Sequence, residues 1–305
     1  MRGISLLLSL AFLALAGCTR LPVTEVTPLK VATGSELRER LLKSKADVDQ
    51  FRLRGPFDVA VLRDRELELS ARERVVADLY LASPAEKAPL LILVHGHDNS
   101  KEDHAYQALH LASWGIHSLA VQLPNQGPWV GNGRTLARIV AAIHRRPDAI
   151  DSRVDVDKII LAGHSFGAAA VAIALADRAP VVGGILLDPA GLGKELPGFL
   201  RRVDKPVMMI GADELLSPVR DRSDFFFYIR SRMAEISIRD ASHEDAEFPM
   251  EPGPDSTATE ETQITFVSAL TSAALSLAYT GSFDYAWSSF RDGIESGKFF
   301  NAVRK

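Results

Sequence analysis

The stretch Lys158-Ile159-Ile160-Leu161-Ala162-Gly163-His164-Ser165-Phe166-Gly167-Ala168-Ala169-Ala170 decides how this chain is read. Residues 159–162 form a short apolar run, as a strand covered on both faces should. Residues 168–176 are rich in small helix formers. Between them Gly163, Ser165 and Gly167 sit at alternate positions. A serine presented on a sharp strand-to-helix turn needs small residues two positions either side, because the two backbones approach closely there. The pattern therefore predicts strand, strained turn, helix, with Ser165 as candidate nucleophile.

Working outward, apolar runs recur on both sides. Upstream, residues 90–94 are continuous aliphatics and run into His95-Gly96-His97-Asp98-Asn99. Residues 117–122 read as a further strand, and residues 57–62 and 74–81 as two early ones. Downstream, residues 184–187 lead into Asp188-Pro189, and residues 206–210 into Gly211-Ala212-Asp213-Glu214. Residues 235–238 read as the last strand, followed by Ala241-Ser242-His243. Helical spacing falls on residues 105–114, closed by Gly115, and on residues 134–146, stopped by Pro147. It recurs over residues 262–279 and 284–300, with a shorter helix over residues 35–42. Residues 127–133, with three glycines, Pro128 and Trp129, read as a surface loop, as do residues 249–256. Strands alternating with helices in this way predict an α/β domain with a mostly parallel central sheet and helices on both faces.

The 305 residues are 47% hydrophobic and 24% charged, with a formal net charge of −4. That is enough chain to bury a large core without disulfides. The absence of a basic tract or basic-aromatic interleaving speaks against a nucleic-acid partner. The single cysteine, Cys18, closes an N-terminal pattern of a short basic start at Arg2 and an apolar run over residues 4–16. The run is shorter than a membrane span and has the form of a secretory signal. Leu15-Ala16-Gly17-Cys18 resembles the lipobox of bacterial lipoproteins. The resemblance implies a signal peptide over residues 1–17 and lipidation of Cys18. A tether would then cover residues 18–50 and a folded domain residues 51–305. It also implies a place in the bacterial cell envelope, and Thr19 after the cysteine points to the outer membrane in a Gram-negative cell.

Three features carry a second resemblance. These are His95-Gly96 after one strand, Gly163-His164-Ser165-Phe166-Gly167 after another, and Leu186-Leu187-Asp188-Pro189-Ala190-Gly191 after the next. With His243 near the end they give the chain order serine, acid, histidine. Roughly residues 75–246 resemble the α/β-hydrolase superfamily. The nearest likeness is to chlorophyllase-like, dienelactone-hydrolase-like and cutinase-like esterases. The resemblance implies the α/β-hydrolase fold and carboxylic-ester hydrolysis through an acyl-serine, with no cofactor. Ser165 would be the nucleophile and His243, the only histidine after it, the base. The oxyanion hole would use the backbone N–H groups of Phe166 and His97. His95 would pack at its strand end and organise the oxyanion loop, and His164 would point away from the cleft. For the acid, Asp188 ranks first. Glu214 and Asp213, one strand later where the superfamily more often keeps it, stay open. Trp129 could wall the cleft or cover the core. A metal on His95, His97, Asp98 and His104 is not expected, since histidines two apart across a glycine turn lack the usual helix spacing and the resemblance already accounts for His95-Gly96. The partners this implies are an ester substrate, small or lipid-like, and a membrane reached through the anchor. A lipase, thioesterase or peptidase on the same triad is the nearest alternative, and a non-catalytic binding lipoprotein the other.

Overall fold

A computed structural model describes residues 34–43, 48–83, 87–213, 222–251, 253 and 256–305. The expected signal, Cys18 and Glu214 lie outside the described residues. The strands are β1 (Asp58–Ser70), β2 (Glu73–Ser83), β3 (Ala88–Val94), β4 (His117–Gln122), β5 (Val154–His164), β6 (Gly183–Leu187), β7 (Val207–Gly211), β8 (Met233–Ile238) and β9 (Phe299–Arg304). The helices are α1 (Gly34–Lys43), α2 (Ala105–Ser113), α3 (Trp129–Arg145), α4 (Phe166–Ala176), α5 (Leu196–Leu200), α6 (Ser223–Tyr228), α7 (Glu260–Thr280) and α8 (Asp284–Glu295).

Among the described residues the strands form one sheet in the order β1-β2-β4-β3-β5-β6-β7-β8-β9. Pairing is parallel from β4 through β8 and antiparallel at both margins. The strand alternation splits the interior in two. Leu91, Leu93, Ile160 and Ala162 face α2, α7 and α8. Leu90, Ile92, Ile159 and Leu161 face α3, α4 and α5. This is why the central strands read as unbroken apolar runs: both faces are covered. The sheet turns its strand order between β4, β3 and β5, and ligands in open α/β sheets gather at the carboxyl ends of strands at such a reversal.

Three expectations need correction. The helix expected over residues 284–300 is shorter, because α8 stops at Glu295 and the chain returns as β9 against β8. The stop is a Schellman turn: Gly297 adopts φ 78°, its N–H donates to Ile294 O, and Lys298 N–H donates to Gly293 O at 2.9 Å. Residues 129–133, expected as loop, form the first turns of α3 after Pro128. Gly133 there serves helix packing, since a Cβ would lie 2.6 Å from Ile173 Cβ and 2.8 Å from Ala170 O on α4. β1 runs on to Ser70 through a register shift between Leu62 and Arg65, so its alternation is interrupted and the run looks short in sequence.

Candidate active site

Strand β5 ends at His164 and helix α4 begins at Phe166, leaving Ser165 at the corner with φ 53° and ψ −124°. A non-glycine residue held there stores of order 1–3 kcal/mol of backbone strain. The surroundings enforce it. A Cβ on Gly163 would come within 2.6 Å of the Gly167 carbonyl, and one on Gly167 within 2.3 Å of His95 O. Ser165 N–H donates to Leu187 O at 3.0 Å, and the Ser165 carbonyl accepts from Ala168 and Ala190 N–H at 3.1 Å each. Phe166 is the first helical residue, so its N–H belongs to the group without an intrahelical acceptor. It is placed to meet negative charge developing beside the serine.

His243 lies in the loop beyond β8. Its turn is tied by Ser242 N–H and Oγ, which donate to Asp245 Oδ2 at 2.7 and 3.0 Å, while Asp245 Oδ1 accepts from Thr259 N–H at 2.7 Å. The ring's Nδ1 faces Asp188 Oδ2 at 2.5 Å. Asp188, at the end of β6 with φ 34°, is buried. Its other oxygen accepts from Ala212 N–H at 2.9 Å and Arg222 Nη1 at 2.7 Å. Burial pushes the Asp188 carboxyl up, but the His243 hydrogen bond and charge, with Arg222 and the Ala212 amide, outweigh it and hold the group below the usual carboxylate range. With Nδ1 committed to an ionised acid, Nε2 is the nitrogen able to take a proton from a serine hydroxyl.

The loop after β3 closes the other side. A Cβ on Gly96 would sit 3.0 Å from Ser165 Cβ, so this loop lies tightly on the serine corner and a larger residue would push the two apart. His95 is buried, with Nδ1 2.9 Å from Gly96 O and Nε2 3.0 Å from both the carbonyl and the N–H of Leu123. His97 follows, half-exposed, with its ring 5.9 Å from Phe166 and 6.4 Å from Trp129. Trp129 is buried and stacks on Phe166 at 5.6 Å, 14° from parallel. Trp129 therefore both packs and lines the wall beside the two candidate oxyanion donors.

A model of a family described as "Alpha/beta hydrolase family" matches residues 91–293, more than half the chain and the whole of this constellation. The chain belongs to the α/β-hydrolase family. No curated protein matches it significantly. The family is one of hydrolases, and hydrolysis is the coarse activity that membership supports.

Within this α/β hydrolase the structure sets Asp188 against His243, the His243 ring 4.4 Å from that of His164 next to Ser165, and the His97 ring beside Phe166. Asp213 stands apart: its Oδ2 accepts from Asp240 N–H at 3.1 Å and its own N–H donates to Ala241 O at 3.0 Å. The described residues hold no group of three or more histidine, cysteine or acidic side chains able to share a metal ion. No helix among them is long and apolar enough to cross a membrane.

Sequence reasoning missed two charged residues here. Arg222 braces Asp188 while its Nη2 donates to Ser237 Oγ at 2.7 Å. Glu247, buried, lies with Oε1 2.7 Å from His164 Nδ1, and the same oxygen accepts from the Asn99 amide. The only trace in sequence is the acid-rich run Glu244-Asp245-Ala246-Glu247 after His243, which does not say which acid turns inward. His164 thus points away from the cleft into a partner of its own.

Proposed function

We propose that this α/β hydrolase cleaves carboxylic esters through an acyl-Ser165 intermediate. The single observation that carries the reading is Asp188 facing His243 Nδ1 at 2.5 Å, beside a serine held at φ 53° on the elbow. In the forward step His243 Nε2 takes the Ser165 proton as Oγ attacks the ester carbonyl. The Phe166 and His97 N–H groups receive the oxyanion. Collapse breaks the ester C–O bond, and His243 returns the proton to the departing alcohol. Water, deprotonated by the same imidazole, then releases the acid and restores Ser165. The wall of His97, Trp129 and Phe166 offers flat aromatic surface next to the reacting carbonyl.

The test is covalent. A fluorophosphonate probe should label the wild-type protein and fail on Ser165→Ala, whose kcat on p-nitrophenyl esters should fall by roughly 10⁴ or more. Unchanged labelling or turnover in purified Ser165→Ala overturns the mechanism. The lipobox-like Leu15-Ala16-Gly17-Cys18 supports a lipid-anchored enzyme at the cell envelope. Cys18→Ser should move the protein out of washed membranes, since stable anchoring requires more than one acyl chain. Retention of that variant would count against the anchor.

A further inference from the structure

Glu247 is an acid buried beside the proposed triad but outside it. Its Oε1 meets His164 Nδ1 at 2.7 Å and the Asn99 amide. These partners come from the elbow and from the loop that carries His97, while Glu247 itself follows His243 on a third segment. The backbone around it is pinned as well. Its carbonyl accepts from Gln263 Nε2 on α7 at 2.9 Å, and Ala246 O accepts from Gln107 Nε2 on α2 at 2.9 Å. Next in the chain, Phe248 exchanges backbone hydrogen bonds with the 103–106 segment, donating to Asp103 O at 2.8 Å and accepting from Tyr106 N–H at 3.0 Å.

The His164 ring lies 4.4 Å from the His243 ring, centroid to centroid, and 6.5 Å from that of His104. The Cβ position of Gly96 is 3.2 Å from His164 Nδ1, so the oxyanion loop rests on this ring. Burying an ion pair gains little stability over an apolar pair of the same volume, but it fixes relative positions. We infer that His164 and Glu247 form a positioning clamp that holds the His97 loop and the His243 loop against the elbow. This rests on the serine-hydrolase reading, because it assigns the clamp to the same nucleophile, base and oxyanion donors.

The charges support the geometry. Burial alone favours a neutral His164, but the charge and hydrogen bond of Glu247, with Asp188 and the His243 backbone, raise it above its ordinary value. Burial pushes Glu247 up, yet His164, His104 and Asn99 hold it at about 2. The groups facing His164 are therefore Glu247, Asp188, His104 and His243. A charged His164 ring 4.4 Å from that of His243 would disfavour a second charge there and hold the base neutral to lower pH.

The experiment uses the full chain, with kcat and kcat/KM for p-nitrophenyl butyrate followed against pH and normalised to fluorophosphonate-labelled sites. Glu247→Gln leaves His164 without its counter-ion. We expect kcat to fall about ten- to a hundredfold through misplacement of the loops, with KM little changed. The acid limb of kcat/KM should move up by about half a unit or more, because the cation beside His243 is lost. His164→Gln should reproduce the limb shift, and the double variant should be less than additive. A purely stabilising pair would lower the melting temperature and leave kcat per labelled site and the limb in place, which overturns the clamp. Should neither variant fold, Asn99→Ala, which cuts the tie to the His97 loop and leaves the ion pair, decides: kcat per labelled site lowered severalfold supports the clamp, and unchanged kcat overturns it. A wild type that neither turns over esters nor labels overturns the serine-hydrolase reading instead, whereas an active wild type with unaffected variants overturns the clamp alone.

Discussion

Two imidazole–carboxylate pairs lie ring against ring at the carboxyl end of the sheet, His243 with Asp188 and His164 with Glu247. Chemically they are the same pair; their settings differ. The His243 side chain keeps 14% of its surface exposed and sits on a loop, whereas His164 keeps 3% and sits at the end of a strand. Asp188 is fully enclosed by donors from three directions, His243, Ala212 and Arg222, so the carboxylate is fixed and the ring follows it. Glu247 gathers two segments on one oxygen, so the carboxylate is the junction. An imidazole–carboxylate pair can serve as a base when its second nitrogen reaches a reacting group; in the His164 pair that nitrogen is buried instead.

If the pairs differ in this way, their variants must differ in kind. The largest effect belongs to His243→Ala, which should lower kcat by roughly 10⁴ or more. Combined with Ser165→Ala it should be little worse, since triad members act as one unit. A stopped assay on the double variant that shows a further large drop would mean the two residues act independently.

Next comes the acid. Asp188→Asn keeps the shape but offers His243 an amide, which admits the wrong tautomer. A loss of roughly 10⁴ in kcat is expected at pH 7. Asp213→Asn removes the charge but keeps an oxygen able to accept from the Asp240 N–H, and should cost about tenfold or less, as should Glu214→Gln. Turnover surviving in Asp188→Asn while either of the others is crippled would return the acid to the later strand.

The smallest effect is on stability against pH. Glu247 is held at about 2 against an ordinary 4.5, and Asp188 lies below its ordinary value. Depressed carboxylates stabilise the fold above their unfolded values, and that contribution disappears as pH falls through the folded ones. Melting temperature should therefore drop between about pH 4.5 and 2, less steeply in Glu247→Gln. His164 has the opposite sign: its raised value contributes below the unfolded one near 6.5 and is lost as pH rises through the folded one. Parallel acid limbs for wild type and Glu247→Gln would show that the buried carboxylate is not ionised in the fold.

The strands and the serine corner were legible because their causes are local. Ile159 to Ala162 must be apolar when both faces of β5 are covered, and Gly163 and Gly167 have no room for a Cβ. β9 was not legible: Phe299 is buried against Phe290 at 5.7 Å, yet the residues around it carry the same helical spacing as α8. Ser296-Gly297-Lys298 held the stop signal, and it works only because Gly297 takes a left-handed conformation. The start of α3 was hidden by its glycines, whose use is the close approach to α4.

What the sequence by itself determined is the order of the parts: a strand, a strained serine and an Ala-rich helix, with acids and one histidine after them. That order follows from short-range sterics and from the period of burial, both of which are written in neighbouring residues. The tertiary structure alone decided the partners. Whether His243 meets Asp188 or Asp213 depends on which of two adjacent strand ends its loop crosses, and strand ends in one sheet lie only about 4.8 Å apart. Whether Glu247 turns inward depends on Asn99 and His164, residues far away in the chain. Such choices rest on the summed packing of distant segments, and no local pattern encodes them.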